Sequence, residues 1–246
     1  MRIGDFLVDE IYCGDALKLL KKIPDETIDL IITDPPFAID FKGKKNNYNR
    51  KNEKVIDGYN EIPKEKYYDF TYSWIKETYR ILKDTGSMYV FSGWTNLKTV
   101  LNSIDDVGFI QINHLIWKYQ FGVYTKRKFV TSHYHILFVV KNQDKYKFNK
   151  IEDYPEDVII VNREYWIGKL KTPTKLPIEL VKKLILFSSD EGDIILDPFL
   201  GSGTVGVAAK LLKRHFLGFE IVPQYCDFAK KRIKEIEGNL FINGNG

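Results

Sequence analysis

Two short stretches of the chain combine residue types that can do chemistry together. The first reads Asp34-Pro35-Pro36-Phe37 and follows the apolar run 28–32 directly. The second reads Gly201-Ser202-Gly203-Thr204-Val205-Gly206, a G-x-G-x-x-G pattern, with Asp197 four residues before it and Glu220 19 residues after Gly201. Glycines between a strand and a helix let the backbone approach a nucleotide-like ligand, and an acid after the next strand can take ribose hydroxyls. Spacing alone leaves a nicotinamide dinucleotide and S-adenosylmethionine (SAM) both open. Asp197 favours SAM, because a carboxylate there repels a pyrophosphate but attracts ammonium and sulfonium charges.

The proline corner suits an amine acceptor. An exocyclic amine of a nucleobase is a poor nucleophile, since its lone pair is delocalised into the ring. The Asp34 carboxylate and the Pro35 carbonyl could accept its two N–H bonds and favour a pyramidal nitrogen. The prolines fix φ and so pre-aim that carbonyl. A base in a duplex must be flipped out to be reached. The Phe37 ring could offset part of that cost, by about 1–3 kcal/mol on the scale of base stacking in single strands.

Both stretches need a frame. Runs rich in β-branched and aromatic residues predict strands over 28–33, 87–91, 113–118, 134–140, 193–196 and 216–220. Apolar residues at helical spacing (Tyr67, Phe70, Trp74, Thr78 and Ile81) predict a helix between the first two. Ile178, Val181, Leu184 and Ile185 after Pro177 predict a second, and Tyr225, Phe228, Ala229, Arg232, Ile233 and Ile236 a last, amphipathic one. Strands alternating with helices imply βαβ units and a mostly parallel sheet.

The bulk numbers agree with one large α/β domain over 1–246: 44% of residues are hydrophobic and the formal charge is +4. Cys13 and Cys226 form no paired motif and read as two separate reduced thiols. The N-terminus lacks an apolar signal core and no run approaches membrane length, so a cytoplasmic protein without membrane contact is expected. Two segments interrupt the pattern. Residues 42–62 open with a basic run holding six Lys/Arg and one acid over 42–54, read as a mobile loop gripping phosphates through Lys44, Lys45, Arg50 and Lys51. Residues 141–174 are polar with scattered aromatics and read as a small recognition insertion.

On these residues the chain resembles the amino-group DNA methyltransferases of the permuted β order, in which D-P-P-[YF] comes first and F-x-G-x-G last. The resemblance covers nearly the whole sequence, from "IYCGDALKLLKKIPDETIDLIITDPPF" to "DPFLGSGTVGVAAKLLKRHFLGFEI". It implies a Rossmann-like, circularly permuted fold: a seven-stranded, mostly parallel sheet with one reversed strand and helices on both faces. It implies catalysis by Asp34, Pro35, Pro36 and Phe37. SAM would be held by Asp15 and Ala16 near the adenine, by Asp34, Asp197, Phe199, Gly201, Gly203 and Thr204 along the methionine, and by Glu220 at the ribose. Double-stranded DNA is the implied partner, with Lys126, Arg127 and Lys128 also on phosphates. A homodimer and a cognate restriction endonuclease are compatible with the resemblance.

The chain departs from the family pattern at two places. Tyr134 stands where many relatives carry an acid after a histidine, and Lys175-Leu176-Pro177 replaces Gln-Lys-Pro. His133 and His135 share a strand face without a third ligand nearby, so no metal is expected. The expected activity is methylation of adenine N6 in DNA, with cytosine N4 as the alternative and a nicotinamide-dependent oxidoreductase as a more distant one. The oxidoreductase would leave Asp34–Phe37 and Asp197 without a role.

Overall fold

Each of the six apolar runs forms a strand, and together they frame one mixed sheet. The structure is a computed structural model of the 246-residue chain and describes residues 1–38, 62–120, 122, 124, 126–164 and 175–243, with side chains through residue 236. In chain order the elements are β1 (Arg2–Ile3), β2 (Phe6–Leu7), β3 (Glu10–Cys13), α1 (Ala16–Leu20), β4 (Ile28–Thr33), α2 (Tyr67–Ile81), β5 (Leu82–Ser92) and α3 (Leu97–Val107). They continue with β6 (Ile110–Lys118), β7 (His133–Val140), β8 (Val158–Ile160), α4 (Ile178–Ser188), β9 (Ile194–Asp197), α5 (Thr204–Leu211), β10 (His215–Glu220) and α6 (Pro223–Asn243).

The main sheet runs β3-β10-β9-β4-β5-β7-β6-β8. Only β7 is antiparallel to its neighbours. Among the described residues the sheet therefore has the single reversed strand expected, but eight strands rather than seven. The extra one is β8, which the segment 141–174 adds as an edge beside β6, with Trp117 facing Ile159. That segment was expected to be irregular. Its strand is three residues long in a polar surrounding, too short for alternation to reveal.

Alternation along the strands sends side chains to two cores. Tyr89 and Phe91 of β5 pack with α4, α5 and α6 on one face. Met88 and Val90 pack with α1, α2 and α3 on the other. A register shift between Ile28 and Leu30 changes the phase of β4. Leu30 and Ile32 join the first core and Ile28 and Ile31 the second. Asp29 sits at the shift and is held there by Lys83 at 2.6 Å and by the Ile194 N–H at 3.0 Å.

The chain's two ends meet in the sheet. Strand β3 lies parallel to β10, with Cys13 beside Glu220. This brings Cys13 to Cys226, in the first turn of α6, and the two are joined as a disulfide with Cα atoms 6.1 Å apart. The expectation of two separate thiols is thus corrected. Their sequence separation of 213 hides the proximity, which follows only from the pairing of a first strand with a last one. Among the described residues, no helix is long and apolar enough to cross a membrane.

Trp74 joins the second core to the glycine loop. It is fully buried and meets the Phe199 ring edge-on, centroids 5.7 Å apart. Trp74→Ala should lower the unfolding free energy by about 3–5 kcal/mol in urea denaturation, the usual cost of deleting a large buried ring. A loss below about 1 kcal/mol would show that this side of the sheet collapses onto the space freely.

Candidate active site

Strands β10, β9 and β4 are adjacent and parallel, so their carboxyl ends emerge side by side. Their last residues, or the next one along, are Glu220, Asp197 and Asp34. After β4 the chain continues toward β5, and after β9 toward β10. The gap between β4 and β9 is therefore the switch point at which open α/β sheets take ligands. A cleft opens there, lined by Asp34, Leu176, Asp197, Phe199 and the loop around Gly201 and Thr204.

The glycine loop has its shape for three separate reasons. Gly201 has φ +52° and Gly203 has φ +82°, both in the left-handed region that glycine enters without strain. A Cβ on Gly203 would stand 2.9 Å from the Ala229 Cβ, so the loop can sit this close to α6 only with glycine there. A Cβ on Gly201 would meet nothing nearer than the Phe199 carbonyl at 3.9 Å, which leaves open space for a ligand. Arg232 of α6 props the loop from behind, donating to the Ser202 carbonyl and the Thr204 hydroxyl at 3.0 Å each. Sequence reading counted Arg232 only as part of an amphipathic stripe. An arginine within that apolar stripe was the signal for a buried task.

Three acids share this end of the sheet. Glu220 accepts the Gly201 N–H and the Val222 N–H at 2.8 Å each. Burial still holds its pKa above the usual carboxylate value, against those N–H donors. Asp197 accepts the Phe199 N–H at 3.0 Å. Burial first, and then the nearby Asp34 and Glu220 charges, push its pKa up to about 8. The Thr33 hydroxyl lies close enough to oppose that rise but meets no hydrogen-bond geometry. Asp34 keeps some surface, yet its Oδ1 is enclosed with no hydrogen-bond partner, and burial pushes its pKa up to about 7.

Beside Asp34, the Phe37 ring is buried and lies nearly parallel to Tyr134, centroids 6.3 Å apart and planes at 21°. Tyr134 stacks in turn on Trp117 at 5.8 Å, and the Arg163 guanidinium covers Tyr119 at 3.8 Å. This aromatic wall was not foreseen. Tyr134 had drawn notice only as a departure from an acid, and its partners come from three distant segments.

The other expected residues fall into three groups. Asp15 caps α1, accepting the Leu17 N–H at 3.0 Å, and Ala16 is buried beside it. Both follow β3 next to the Glu220 strand but do not line the cleft. Lys126, Arg127 and Lys128 are exposed in the connection between β6 and β7, at the same end of the sheet as Asp34. Lys44, Lys45, Arg50 and Lys51, with the rest of 39–61, lie outside the described residues, as do 165–174 of the insertion. Lys175 is paired with Glu164 at 2.6 Å, and Glu164 also accepts the Ile178 N–H that opens α4. His135 bonds His114 at 2.8 Å, and burial pushes its pKa down to about 4. Among the described residues, no cluster of His, Cys, Asp and Glu could hold a metal ion.

Enclosed carboxyls of this kind should bind a cation better as they ionise. A sulfonium with an ammonium favours the deprotonated acids, so its affinity is full above their free values and falls as pH drops through 8 and then 7. The dissociation constant of SAM should rise on the order of 100-fold between pH 7.5 and 6.0, with proton release on binding at pH 7. Calorimetry in two buffers of different ionisation enthalpy measures both. A flat profile without proton release would contradict the assigned acids.

Comparison with known proteins identifies a matching family and similar solved structures. The N6_N4_Mtase family model, described as DNA methylase, matches residues 28–231. The Type II methyltransferase M.HpaI of Haemophilus parainfluenzae is 31% identical over 244 residues, spanning 91% of this chain and 73% of that protein. The Type II methyltransferase M.HinfI of Haemophilus influenzae is 33% identical over 258 residues, spanning 96% and 71%. Among solved structures, the M1.HpyAVI–SAM complex superposes with a TM-score of 0.70 at 27% identity, covering 91% of this chain and 98% of that one. The PvuII cytosine-N4-specific DNA methyltransferase has the same fold at 22% identity and a TM-score of 0.70, covering 95% and 92%.

Proposed function

The chain belongs to the N6/N4 DNA methylase family, and on that premise we propose that it methylates adenine N6 in double-stranded DNA, using SAM. The observation that carries the reading is Asp34. An enclosed carboxylate oxygen without a partner stands at the mouth of a glycine-loop cleft, with a buried aromatic ring three residues on.

The residues present suit SAM. Asp197 and Glu220 offer negative charge to a cationic amino acid and acceptors to a ribose, and the loop 201–204 offers a side-chain-free approach. When bound, SAM supplies an electrophilic methyl group on a sulfonium. Asp34 accepts one N–H bond of the target amine and the Pro35 carbonyl the other, which localises the lone pair on nitrogen. Phe37 gives the extruded base a face to stack on. Adenine is favoured over cytosine because Asp occupies the first motif position; in the resembling family, Asp is commoner in adenine enzymes and Ser in cytosine-N4 enzymes.

The basic run 42–54 and Lys126–Lys128 are assigned to DNA phosphates, and 141–174 to sequence recognition. A cognate restriction endonuclease and a cytoplasmic setting belong to this proposal, and the Type II naming of both relatives supports them. A homodimer is proposed on the family resemblance alone.

Asp34→Ala should melt like the wild type yet lose transfer of labelled methyl to plasmid DNA, by about 100-fold or more in kcat. Retention of more than about a tenth of kcat, a barrier change below about 1.4 kcal/mol, would remove Asp34 from its role. Nucleoside digestion and mass spectrometry of the modified plasmid should give N6-methyladenine. N4-methylcytosine alone would keep the enzyme class and overturn the base.

A further inference from the structure

Phe129 is 98% exposed, the highest exposure of any large apolar side chain among the described residues. It follows directly on Lys126, Arg127 and Lys128, all exposed. Tyr124 and Val130 of the same connection are exposed as well, so the apolar surface here is concentrated beside basic residues rather than scattered singly. Both features make sense against a partner that offers phosphates and a stackable interior within a few ångströms of one another. A nucleic acid duplex is such a partner.

The placement is specific. Phe129 lies in the connection from β6 to β7, at the carboxyl end of β6 and so at the Asp34 end of the sheet. The two arms of this connection run close together. The Tyr119 N–H donates to the Ser132 carbonyl at 3.0 Å and the Tyr119 hydroxyl to the Thr131 carbonyl at 3.3 Å. A Cβ on Gly122 would overlap the Thr131 carbonyl, 1.8 Å away, so the arms are in contact there. The root is stiffened by Arg163 over Tyr119. Tyr134, just past the second arm, lies against Phe37. Phe129 is five positions before Tyr134, a reach of at most about 17 Å. The two arms are thus in contact at a root beside the base platform, and Phe129 stands fully exposed on the second arm, two residues from that contact.

Resting on the reading above, we propose that Phe129 is the wedge of this enzyme. It enters the duplex where the target base leaves its stack, while Lys126, Arg127 and Lys128 hold the flanking phosphates. An inserted side chain of this kind replaces the lost stacking and keeps the base from returning. Phe129 is therefore a positioning residue. It acts through the base's position, and Asp34 and Phe37 remain the groups that touch the amine.

The test uses the full-length protein and a duplex oligonucleotide carrying its mapped target, with a second duplex bearing an abasic site opposite the target base. The second duplex has no base pair to break. On the paired duplex, Phe129→Ala should lose about tenfold or more in kcat/KM, with less 2-aminopurine fluorescence at the target position and an unchanged KM for SAM. On the abasic duplex, Phe129→Ala and wild type should agree within about twofold. Phe129→Trp, which keeps a stacking face, should retain most activity on both. Equal rates on the paired duplex would overturn the wedge, and so would an equal loss on both duplexes. A wild type that transfers no methyl to any duplex would overturn the DNA-methylation reading and the wedge with it, an outcome distinct from either pattern in the variant.

Discussion

Asp34, Asp197 and Glu220 end, or directly follow, three neighbouring strands, and no ion pair among the described residues includes any of them. This is a costly arrangement. The rise at Asp34 from 3.8 to about 7 means that holding its charge costs on the order of 4 kcal/mol. At Asp197 burial costs more still, because its charge also feels Asp34 and Glu220. A cationic ligand is what relieves such a site. On the proposed function, the acids that burden the free protein would become its affinity for a sulfonium and an ammonium, and the surrounding structure keeps them in place meanwhile.

That support comes from both faces of the sheet. From one face, Arg232 of α6 binds the glycine loop through Ser202 and Thr204, and the Gly201 and Val222 amides fix both oxygens of Glu220. From the other, Phe70 and Trp74 of α2 hold the Phe199 ring. The acceptor corner is held by a different group. Phe37 leans on Tyr134, which Trp117 backs. Cofactor cradle and base platform thus hang on separate parts of one sheet, and they meet only at Asp34. The parallel pairing of β4 with β9 therefore decides whether the two halves of the chemistry face one another.

The parts legible in the sequence were those that repeat or that carry motif chemistry. Short runs rich in β-branched or aromatic residues marked β4 and β10, because parallel strands buried on both faces need no alternation. Helical spacing marked α2, α4 and α6. The motif residues Asp34, Asp197, Phe199 and Gly201 were found to line one cleft. What was not legible depends on pairing across long separations. Cys13 and Cys226 meet because the first strand of the sheet lies beside the last. Tyr134 meets Phe37 because β7 is inserted against β5 in reverse. The strand β8 is too short to show a period, and α3 has apolar residues at helical spacing (Leu97, Val100, Leu101 and Ile104) that were simply not singled out.

The claim underneath all of this is that the acids of the cleft are enclosed, uncompensated and waiting for a cation. Carbon-13 NMR of selectively labelled aspartate carboxyls measures it directly. In the free protein, two titrations should fall near 7 and 8 and vanish in the Asp34→Asn and Asp197→Asn variants, respectively. On saturation with SAM, both should move down, below neutral pH. Two ordinary titrations near 4 in the free protein, unmoved by SAM, would contradict the account.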